Sequence, residues 1–147
     1  TGYAQSNRER YEGFCQALAD AGKKVDSSLC LTTPLGIDTY REEIDTFLSS
    51  LSRMPDAFVC ASDYVACILM QLLEKRGLRV PEDVAVSGFD NNTEDLLAEH
   101  LTTVQVFNEE LGARLALQIL YRIKYPNTPH EITYLGTNVL YRDSTGD

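Results

Sequence analysis

The sequence predicts an α/β protein whose mostly parallel sheet is flanked by helices. Segments with apolar residues at helical spacing alternate with short apolar runs that are typical of buried strands. The alternation continues along nearly the whole chain, which favours right-handed βαβ units. Of the 147 residues, 44% are hydrophobic and 24% are charged, the composition of an ordinary globular domain.

The first three predicted elements are a helix, a weaker strand and a second helix. Residues 7–21 form one apolar helical face followed by Gly22, a common stop signal, with apolar positions at Tyr11, Phe14, Cys15 and Leu18. Residues 25–31 are the weaker strand candidate. Residues 39–51 again show helical spacing, at Tyr40, Ile44, Phe47, Leu48 and Leu51.

The middle of the chain gives the clearest pattern. Residues 57–61 predict a short, fully buried strand. The helix over residues 63–76 can be capped by Ser62 or Asp63 and ends at Gly77, with its apolar stripe at Val65, Ile68, Leu69, Leu72 and Leu73. Residues 84–89 predict the next strand, which runs into the turn-prone residues 90–92.

The last third continues the alternation. A short helix is predicted over residues 95–98 and an extended segment over 102–107. Asn108 is expected to cap a long helix whose first turn holds Glu109 and Glu110, where negative charge suits the helix dipole. The proline-containing segment 125–129 ends this helix, and residues 132–141 predict a final strand.

Composition argues against several classes of protein. A net charge of −9 repels phosphate groups, so this chain alone should not hold DNA. No apolar run approaches the roughly 20 residues that span a bilayer, and the first residues lack a signal-peptide pattern. The cysteines lack zinc-site spacing and indicate reduced, structural thiols in a cytoplasmic protein: Cys15, Cys30, Cys60 and Cys67.

No familiar catalytic or cofactor motif is present, so the sequence predicts neither an enzyme nor a bound cofactor or metal. In open parallel sheets, ligands lie beyond the carboxyl ends of the strands. This rule selects Ser62 and Asp63 after one strand and Asp90 after the next. The two carboxylates would serve general acid–base chemistry only if one of them had a perturbed pKa.

Six segments, taken in order, resemble the lactose/galactose-repressor family of bacterial transcriptional regulators. The long stretch over residues 77–91 matches the family's G-x-x-V-P pattern continued to G-F-D-N, and Leu101-Thr102-Thr103-Val104 matches its L-T-T-V. The other segments are Arg10-Tyr11-Glu12-Gly13-Phe14 for R-x-x-G-F, residues 55–63 for a segment that usually ends in N-D, Glu110-Leu111-Gly112, and Arg142-Asp143-Ser144-Thr145.

The resemblance implies a periplasmic-binding-protein-like fold, in which two α/β subdomains enclose a ligand cleft behind a helix-turn-helix headpiece. By analogy, residues 1–103 lie in the C-terminal subdomain. Residues 104–130 cross over and supply a helix to the N-terminal subdomain, and residues 131–147 return. The chain would then be a C-terminal part of such a regulator, without its headpiece.

The family also implies ligand-binding residues. Arg10 matches an effector-contacting arginine, although it could instead be a solvated residue paired with Glu9 or Glu12. Asp90 matches an aspartate that accepts hydroxyl hydrogen bonds, although it could be a plain turn residue. Ser62 stands where the family usually has Asn, and it could equally cap a helix.

Four further positions are weaker candidates for ligand contact. Asp63 could instead hold the neighbouring loop, and Tyr40 also fits the core stripe of its helix. Gln105 and Asn108 flank Val106, which occupies a crossover position where some relatives carry a polar contact. Without that polar residue, a lactose-like effector is less favoured.

The family's members dimerise through surfaces that correspond to two regions here. One is the second face of the helix over residues 63–76, with Cys67, Met70 and Gln71. The other is the loop at Leu96, Leu97 and Ala98. An exposed apolar strip there would suit a two-fold interface.

The implied function is effector sensing by a cytoplasmic repressor. A sugar or a related small polar metabolite shifts the closure of two hinged subdomains and so changes the DNA affinity of a homodimer. The alternative is an extracytoplasmic solute-binding protein of a sugar transporter, which shares the fold. The residues preceding this segment distinguish the two, because one class carries a helix-turn-helix and the other a signal peptide.

Overall fold

The computed structural model describes residues 5–33, 36, 38–91 and 96–146. Four helices and four short strands are found in this part of the chain. In chain order they are α1 (Gln5–Asp20), α2 (Tyr40–Ser50), β1 (Ala57–Val59), α3 (Asp63–Lys75), β2 (Ala85–Ser87), β3 (Thr103–Gln105), α4 (Asn108–Lys124) and β4 (Asn138–Leu140). The helices and strands therefore follow the predicted α/β alternation.

The strands pair mainly in parallel. Strand β1 lies parallel to β2, with Phe58 opposite Val86. Strand β2 approaches β3 through a parallel bridge between Ser87 and Thr102. Strand β4 pairs with β3 in the antiparallel direction. The predicted parallel pair at residues 57–61 and 84–88 is thus confirmed, and the carboxyl ends of β1 and β2 share one edge.

The hydrophobic core lies between α3, α2 and the strands. Helix α3 supplies most of it, because its apolar stripe repeats every three or four residues. Arg76 ties α2 to α3 through the Asp45 carboxylate at 2.7 Å and the Ser49 hydroxyl at 3.0 Å. The buried apolar residues are Ile44, Leu48, Ala66, Cys67, Ile68, Leu69, Leu72, Leu73, Val84, Val86 and Leu101.

The ends of α3 follow the sequence prediction. The Val65 N–H donates to the Ser62 hydroxyl oxygen at 3.4 Å, so Ser62 is the N-cap. Gly77 follows the helix with φ +73, a left-handed conformation that suits glycine. The capped end of α3 lies next to the carboxyl edge of β1.

Two predicted strands are wrong in whole or in part. Residues 25–31 contain a 3-10 turn, Ser27–Leu29, because the Asp26 carboxylate accepts both the backbone N–H and the hydroxyl of Ser28. The final strand is only Asn138–Leu140, since β3 offers a partner three residues long. Ile132 and Tyr134 precede it and are exposed.

Three smaller expectations also need correction. Strand β1 is not fully buried, because Val59 points away from the core and is 64% exposed. Asn108 does not cap α4: Phe107 occupies the N-cap position without a side-chain hydrogen bond, and Asn108 is the first helical residue. The short helix predicted at 95–98 is a 3-10 helix, Leu96–His100, and residue 95 lies outside the described residues.

Helix α4 differs from the other elements because it contributes nothing to this core. It has no buried residue, and Leu115, Ile119 and Ile123 are all exposed. The predicted end of the helix at residues 125–129 is confirmed, with Tyr125 as the C-cap. Among the described residues, no helix has both the length and the apolar character needed to cross a bilayer.

Candidate functional site

Arg10 of α1 meets the loops that follow β1 and β2. Its guanidinium donates to the Ala61 carbonyl oxygen at 2.5 Å and lies 3.4 Å from a carboxylate oxygen of Asp90. The same group stacks 3.7 Å from the centre of the Phe89 ring. The structure therefore brings together Arg10 and Asp90, two of the residues that the sequence offers as ligand contacts. Arg10 is not paired along its helix; Arg8 makes the ion pair with Glu12 instead.

The backbone at Asp90 has an unusual conformation. Asp90 has φ 110 and Asn91 has φ 53, both in the left-handed region that favours glycine. Such residues cost of order 1–3 kcal/mol each and persist only where the surroundings fix them. Here the Asp90 N–H donates to the Val104 carbonyl at 3.0 Å, which holds the turn against the start of β3.

The charges around Asp90 oppose one another. Burial raises the pKa of its carboxyl group, the nearby Asp63 raises it further, and Arg10 acts in the lowering direction. The carboxyl group is nevertheless only partly covered, with 41% of the side chain exposed. It thus combines partial desolvation, a cationic neighbour and access for a ligand.

Ser62 and Asp63 begin α3 beside this contact. The Ser62 hydroxyl caps the helix, which is one of its two predicted roles, and the residue is half-buried next to Ala61. Asp63 is only 2% exposed and accepts a hydrogen bond from the Thr103 hydroxyl at 2.5 Å. Its backbone N–H donates to the Phe89 carbonyl at 2.8 Å. Asp63 therefore holds the loop after β2.

Of the remaining candidate ligand-binding residues, one adjoins the Arg10–Asp90 contact and two do not. Gln105 forms a parallel bridge with Asp90 and is half-buried, so it adjoins the Arg10–Asp90 contact. Tyr40 packs on the core and makes an edge-to-face contact with Tyr64, with 5.6 Å between ring centres. Asn108 is exposed at the start of α4. In the described part of the chain, no hydrogen bond or ring contact joins Tyr40 or Asn108 to Arg10.

Two groups at the site were missed by the sequence analysis. The Phe89 ring was assigned to the end of a buried strand, yet it forms the surface on which Arg10 stacks. The Ala61 carbonyl is a backbone acceptor, for which no side-chain pattern exists. In the sequence, Phe89 stands directly before the turn-prone residues 90–92. It therefore lies beyond Ser87, the last paired residue of β2, and its ring is free to meet Arg10.

The residues expected at a dimer surface lie in different environments. Cys67 is 2% exposed within the core, which corrects the expectation of an exposed strip there, because this side of α3 faces other core residues. Met70 and Leu97 are half-buried against the core, and Gln71 accepts a hydrogen bond from Arg41. The side chains of Leu96 and Ala98 lie outside what the structure describes.

The cysteines are free thiols with no metal-binding grouping. Burial raises the pKa of the Cys60 thiol to about 12, and the neighbouring Cys67 and Asp63 act in the same direction. A thiol with such a pKa carries almost no thiolate at neutral pH and is a poor nucleophile. No group of three histidine, cysteine or acidic residues that could hold a metal occurs among the described residues.

Comparison with known proteins identifies the family of this chain. The profile of the periplasmic binding protein-like domain matches residues 2–145, nearly the full chain. The chain belongs to the periplasmic binding protein-like domain family. Among relatives in this family, the transcriptional regulator CelR of Thermobifida fusca is 34% identical over 142 residues. DegA of Bacillus subtilis is 34% identical over 113 residues, and the repressor PurR of Photobacterium profundum is 30% identical over 142.

Solved structures of family members share the fold. The CelR–cellobiose complex is 31% identical, with a TM-score of 0.82 over 92% of this chain. A putative regulator of the LacI family from Sanguibacter keddieii is 30% identical, with a TM-score of 0.81 over 94% of this chain. All of these relatives are transcriptional regulators rather than enzymes or transport proteins, and the resemblance found in the sequence motifs is confirmed.

The chain matches only part of each relative. The matches to CelR and PurR span 92% and 95% of this chain but only 40% and 42% of those proteins, and the match to DegA spans 76% of this chain and 33% of DegA. In the solved structures the covered share is 42% for CelR and 52% for the Sanguibacter protein. The other parts of those regulators have no counterpart in these 147 residues.

Proposed function

We propose that this chain is an effector-sensing part of a bacterial transcriptional repressor. The observation that carries the proposal is the Arg10–Asp90 contact at the shared carboxyl edge of β1 and β2. Ligands of open α/β sheets bind at that edge. The named relatives are all transcriptional regulators, which favours this function over solute capture for a transporter.

The chemistry of the contact suits a small, hydroxyl-rich ligand. A guanidinium offers up to five N–H donors in a planar fork, and a carboxylate accepts two or more hydrogen bonds. The Phe89 ring beneath Arg10 adds an apolar surface. A ligand that carries neighbouring hydroxyl groups can donate to Asp90 and accept from Arg10 together. The CelR structure contains cellobiose, so a carbohydrate is the first class to test.

Secondary contacts surround this pair. We assign Ser62, Asp63 and Gln105 to the inner rim of the site, because each adjoins Ala61, Phe89 or Asp90. Tyr40 and Asn108 are assigned to its outer rim, where a second subdomain would complete the cleft. In this arrangement Asp63 acts through the loop it holds, because its side chain is buried.

The response to effector is a change in closure between two subdomains. We assign residues 1–103 to one subdomain, 104–130 to a crossover and a helix of the other, and 131–147 to the returning strand and tail. The chain leaves the first subdomain near residues 103–108, where β3 lies, and returns near residues 125–131, and we assign the hinge to these two segments. An effector shifts the closure equilibrium only by its differential affinity for the two states.

DNA binding and dimerisation belong to the whole regulator. Its operator contact would come from a helix-turn-helix headpiece, as the names of the relatives indicate, and not from this acidic chain. We propose a homodimer that uses Met70 and Gln71 together with the loop at Leu96, Leu97 and Ala98. Cys67 is buried in the core and is not part of this surface.

The full-length protein provides the test. A thermal-shift screen of cellobiose, monosaccharides and nucleobases first finds a ligand, and calorimetry then compares wild type with Asp90→Ala. Loss of hydrogen bonds to a charged group should weaken affinity by about 1.5–3 kcal/mol. Asp83→Ala is the matched control, because Asp83 also pairs with an arginine, Arg79, but outside the site. Equal affinity in both variants would remove Asp90 from the effector site.

A further inference from the structure

A buried polar network lies directly beneath the turn that carries Asp90. Thr103 and Asp63 are 1% and 2% exposed. The Thr103 hydroxyl donates to the Asp63 carboxylate at 2.5 Å and accepts from the Asn91 N–H at 3.3 Å. One hydroxyl thus connects the start of α3 to the residue that follows Asp90.

The residues on both sides of Asp90 are anchored to the same unit. Phe89 accepts a hydrogen bond from the Asp63 N–H at 2.8 Å, and Asn91 donates to the Thr103 hydroxyl. Asp90 itself donates to Val104, the residue after Thr103. Asn tolerates a left-handed φ such as that of Asn91, but the φ of 110 at Asp90 is far from the common left-handed well, so local preference does not explain the conformation of Asp90. Its conformation is imposed by these contacts.

The close fit at Gly88 shows how tightly Asp63 is seated. A Cβ atom at position 88 would collide with the Asp63 side chain and lie 2.9 Å from the Leu101 side chain. Glycine is therefore needed at position 88, where the Asp63 carboxylate approaches the backbone. The adjacent Thr102 takes no part, since its hydroxyl bonds to the Arg142 carbonyl and to Thr145 in the C-terminal segment.

We propose that Thr103 is a positioning residue for the effector site. Its hydroxyl links the Asp63 carboxylate to the Asn91 N–H, and this link holds the Asp90 carboxylate facing Arg10. The consequence for binding rests on the proposed function, in which Asp90 contacts the effector. The positioning itself is a property of the free chain and can be tested without any ligand.

The test uses a matched pair of substitutions in the 147-residue chain. Thr103→Val keeps the shape of the side chain and removes the hydroxyl, whereas Thr103→Ser keeps the hydroxyl and removes a methyl group. Amide hydrogen exchange by NMR is measured at Asn91, with Leu69 in α3 as an internal reference for global stability. Loss of one buried acceptor should speed exchange at Asn91 by about tenfold or more relative to Leu69.

The expected result is that Thr103→Val speeds exchange at Asn91, while Thr103→Ser leaves it within about threefold of wild type, well below the effect of an unsatisfied donor. Equal effects of Thr103→Val and Thr103→Ser, or no effect of Thr103→Val, would overturn the proposal. If Thr103→Val does not fold, Thr103→Cys replaces it, because a thiol has similar volume and is only a weak hydrogen-bonding group.

Binding measurements separate this proposal from the proposed function. In the full-length protein, cellobiose is titrated into wild type, Thr103→Val and Thr103→Ser by calorimetry. Failure of every variant and of wild type to bind cellobiose bears on the effector class and leaves the exchange result standing. If wild type binds, Thr103→Val should weaken affinity by about tenfold, and Thr103→Ser should bind nearly as tightly as wild type. Equal binding by Thr103→Val and wild type would contradict positioning.

Discussion

At the scale of single residues, the site depends on the close approach of the Arg10 and Asp90 side chains. Burial favours the protonated form of Asp90, and the charge of Asp63 adds to that preference. The guanidinium of Arg10 counteracts both and keeps a charged acceptor available. A ligand hydroxyl that enters between them meets a donor and an acceptor that are already oriented.

Removing the charge of Arg10 should raise the pKa of Asp90 further. In Arg10→Gln the lowering influence is lost, while burial and Asp63 remain. The measurement is a carbon-13 NMR titration of the Asp90 carboxyl group. Arg8→Gln is the control, because Arg8 lies on the same helix and pairs with Glu12. A pKa that stays the same or falls in Arg10→Gln would contradict the electrostatic role.

The sign of the stability effect follows from this shift. The folded-state pKa of Asp90 lies above its unfolded value, so the folded chain binds the proton more tightly. The resulting stabilisation is fully present below the unfolded pKa and is lost as the pH rises through the folded pKa. Arg10→Gln should move the upper end of this window to higher pH, which urea unfolding at a series of pH values can detect.

At the scale of elements, the two parallel strands bury their residues unequally. Val86 in β2 is completely buried under α3, whereas Val59 in β1 is 64% exposed. The two valines lie on paired strands one register position apart, since Val59 is opposite Ser87. The strand pair therefore faces the core chiefly through β2.

A matched pair of substitutions measures this inequality. Val86→Ala removes two buried methyl groups and leaves a cavity, so the free energy of unfolding should fall by about 2 kcal/mol. Val59→Ala should change it by less than about 0.5 kcal/mol, as for other surface substitutions. Urea unfolding monitored by circular dichroism gives both values. Similar losses in the two variants would show that Val59 is covered in solution.

Elements with strong local signals were predicted from the sequence. Helix α3 combines an apolar stripe with a Ser62 cap and a terminal glycine, and all three agree with the structure. The strand predicted over residues 25–31 is absent because the Asp26 side chain accepts a hydrogen bond from the backbone of Ser28. The apolar pattern does not reveal this local competition. Residues 132–137 do not form the predicted strand, because a strand requires a partner strand and the sequence pattern does not reveal how long that partner is.

The candidate site was predicted through family motifs rather than through chemistry. Arg10 and Asp90 are 80 residues apart, and only the motif order and the strand-end rule brought them together. The Phe89 stacking surface and the Ala61 carbonyl were missed because both depend on the exact backbone path after a strand. Thr103 was recognised as part of a motif, but its bond to Asp63 appears only in three dimensions.

At the scale of the whole molecule, net charge limits the partners of this chain. With a charge of −9, it should not form a sequence-specific complex with duplex DNA. The measurement is a gel shift in moderate salt with a pool of duplex DNA sequences, and a full-length relative on its own operator serves as positive control. A sequence-dependent complex with these 147 residues alone would overturn the expectation.

Helix α4 presents a broad apolar surface that the described part of the chain leaves uncovered. The exposed apolar side chains on this helix are Leu111, Leu115, Leu117, Ile119, Leu120 and Ile123. A helix that is apolar over most of its circumference is normally buried. Leaving such side chains in water costs roughly 1.5–3 kcal/mol each relative to burial, comparable in sum to the net stability of a domain, about 5–15 kcal/mol.

The isolated chain should therefore associate through α4 as a dimer or larger species, with residues 125–129 as the hinge for any exchange of the helix. Sedimentation velocity and light scattering over a range of concentrations measure the state. Ile119→Lys places a charge in the centre of the apolar stripe and should shift the chain toward monomer. Gln118→Lys adds the same charge to the same helix at a position that is already polar and should change association much less. A monodisperse wild-type monomer, or equal effects of the two lysine variants, would show that the exposed apolar side chains of α4 do not drive association.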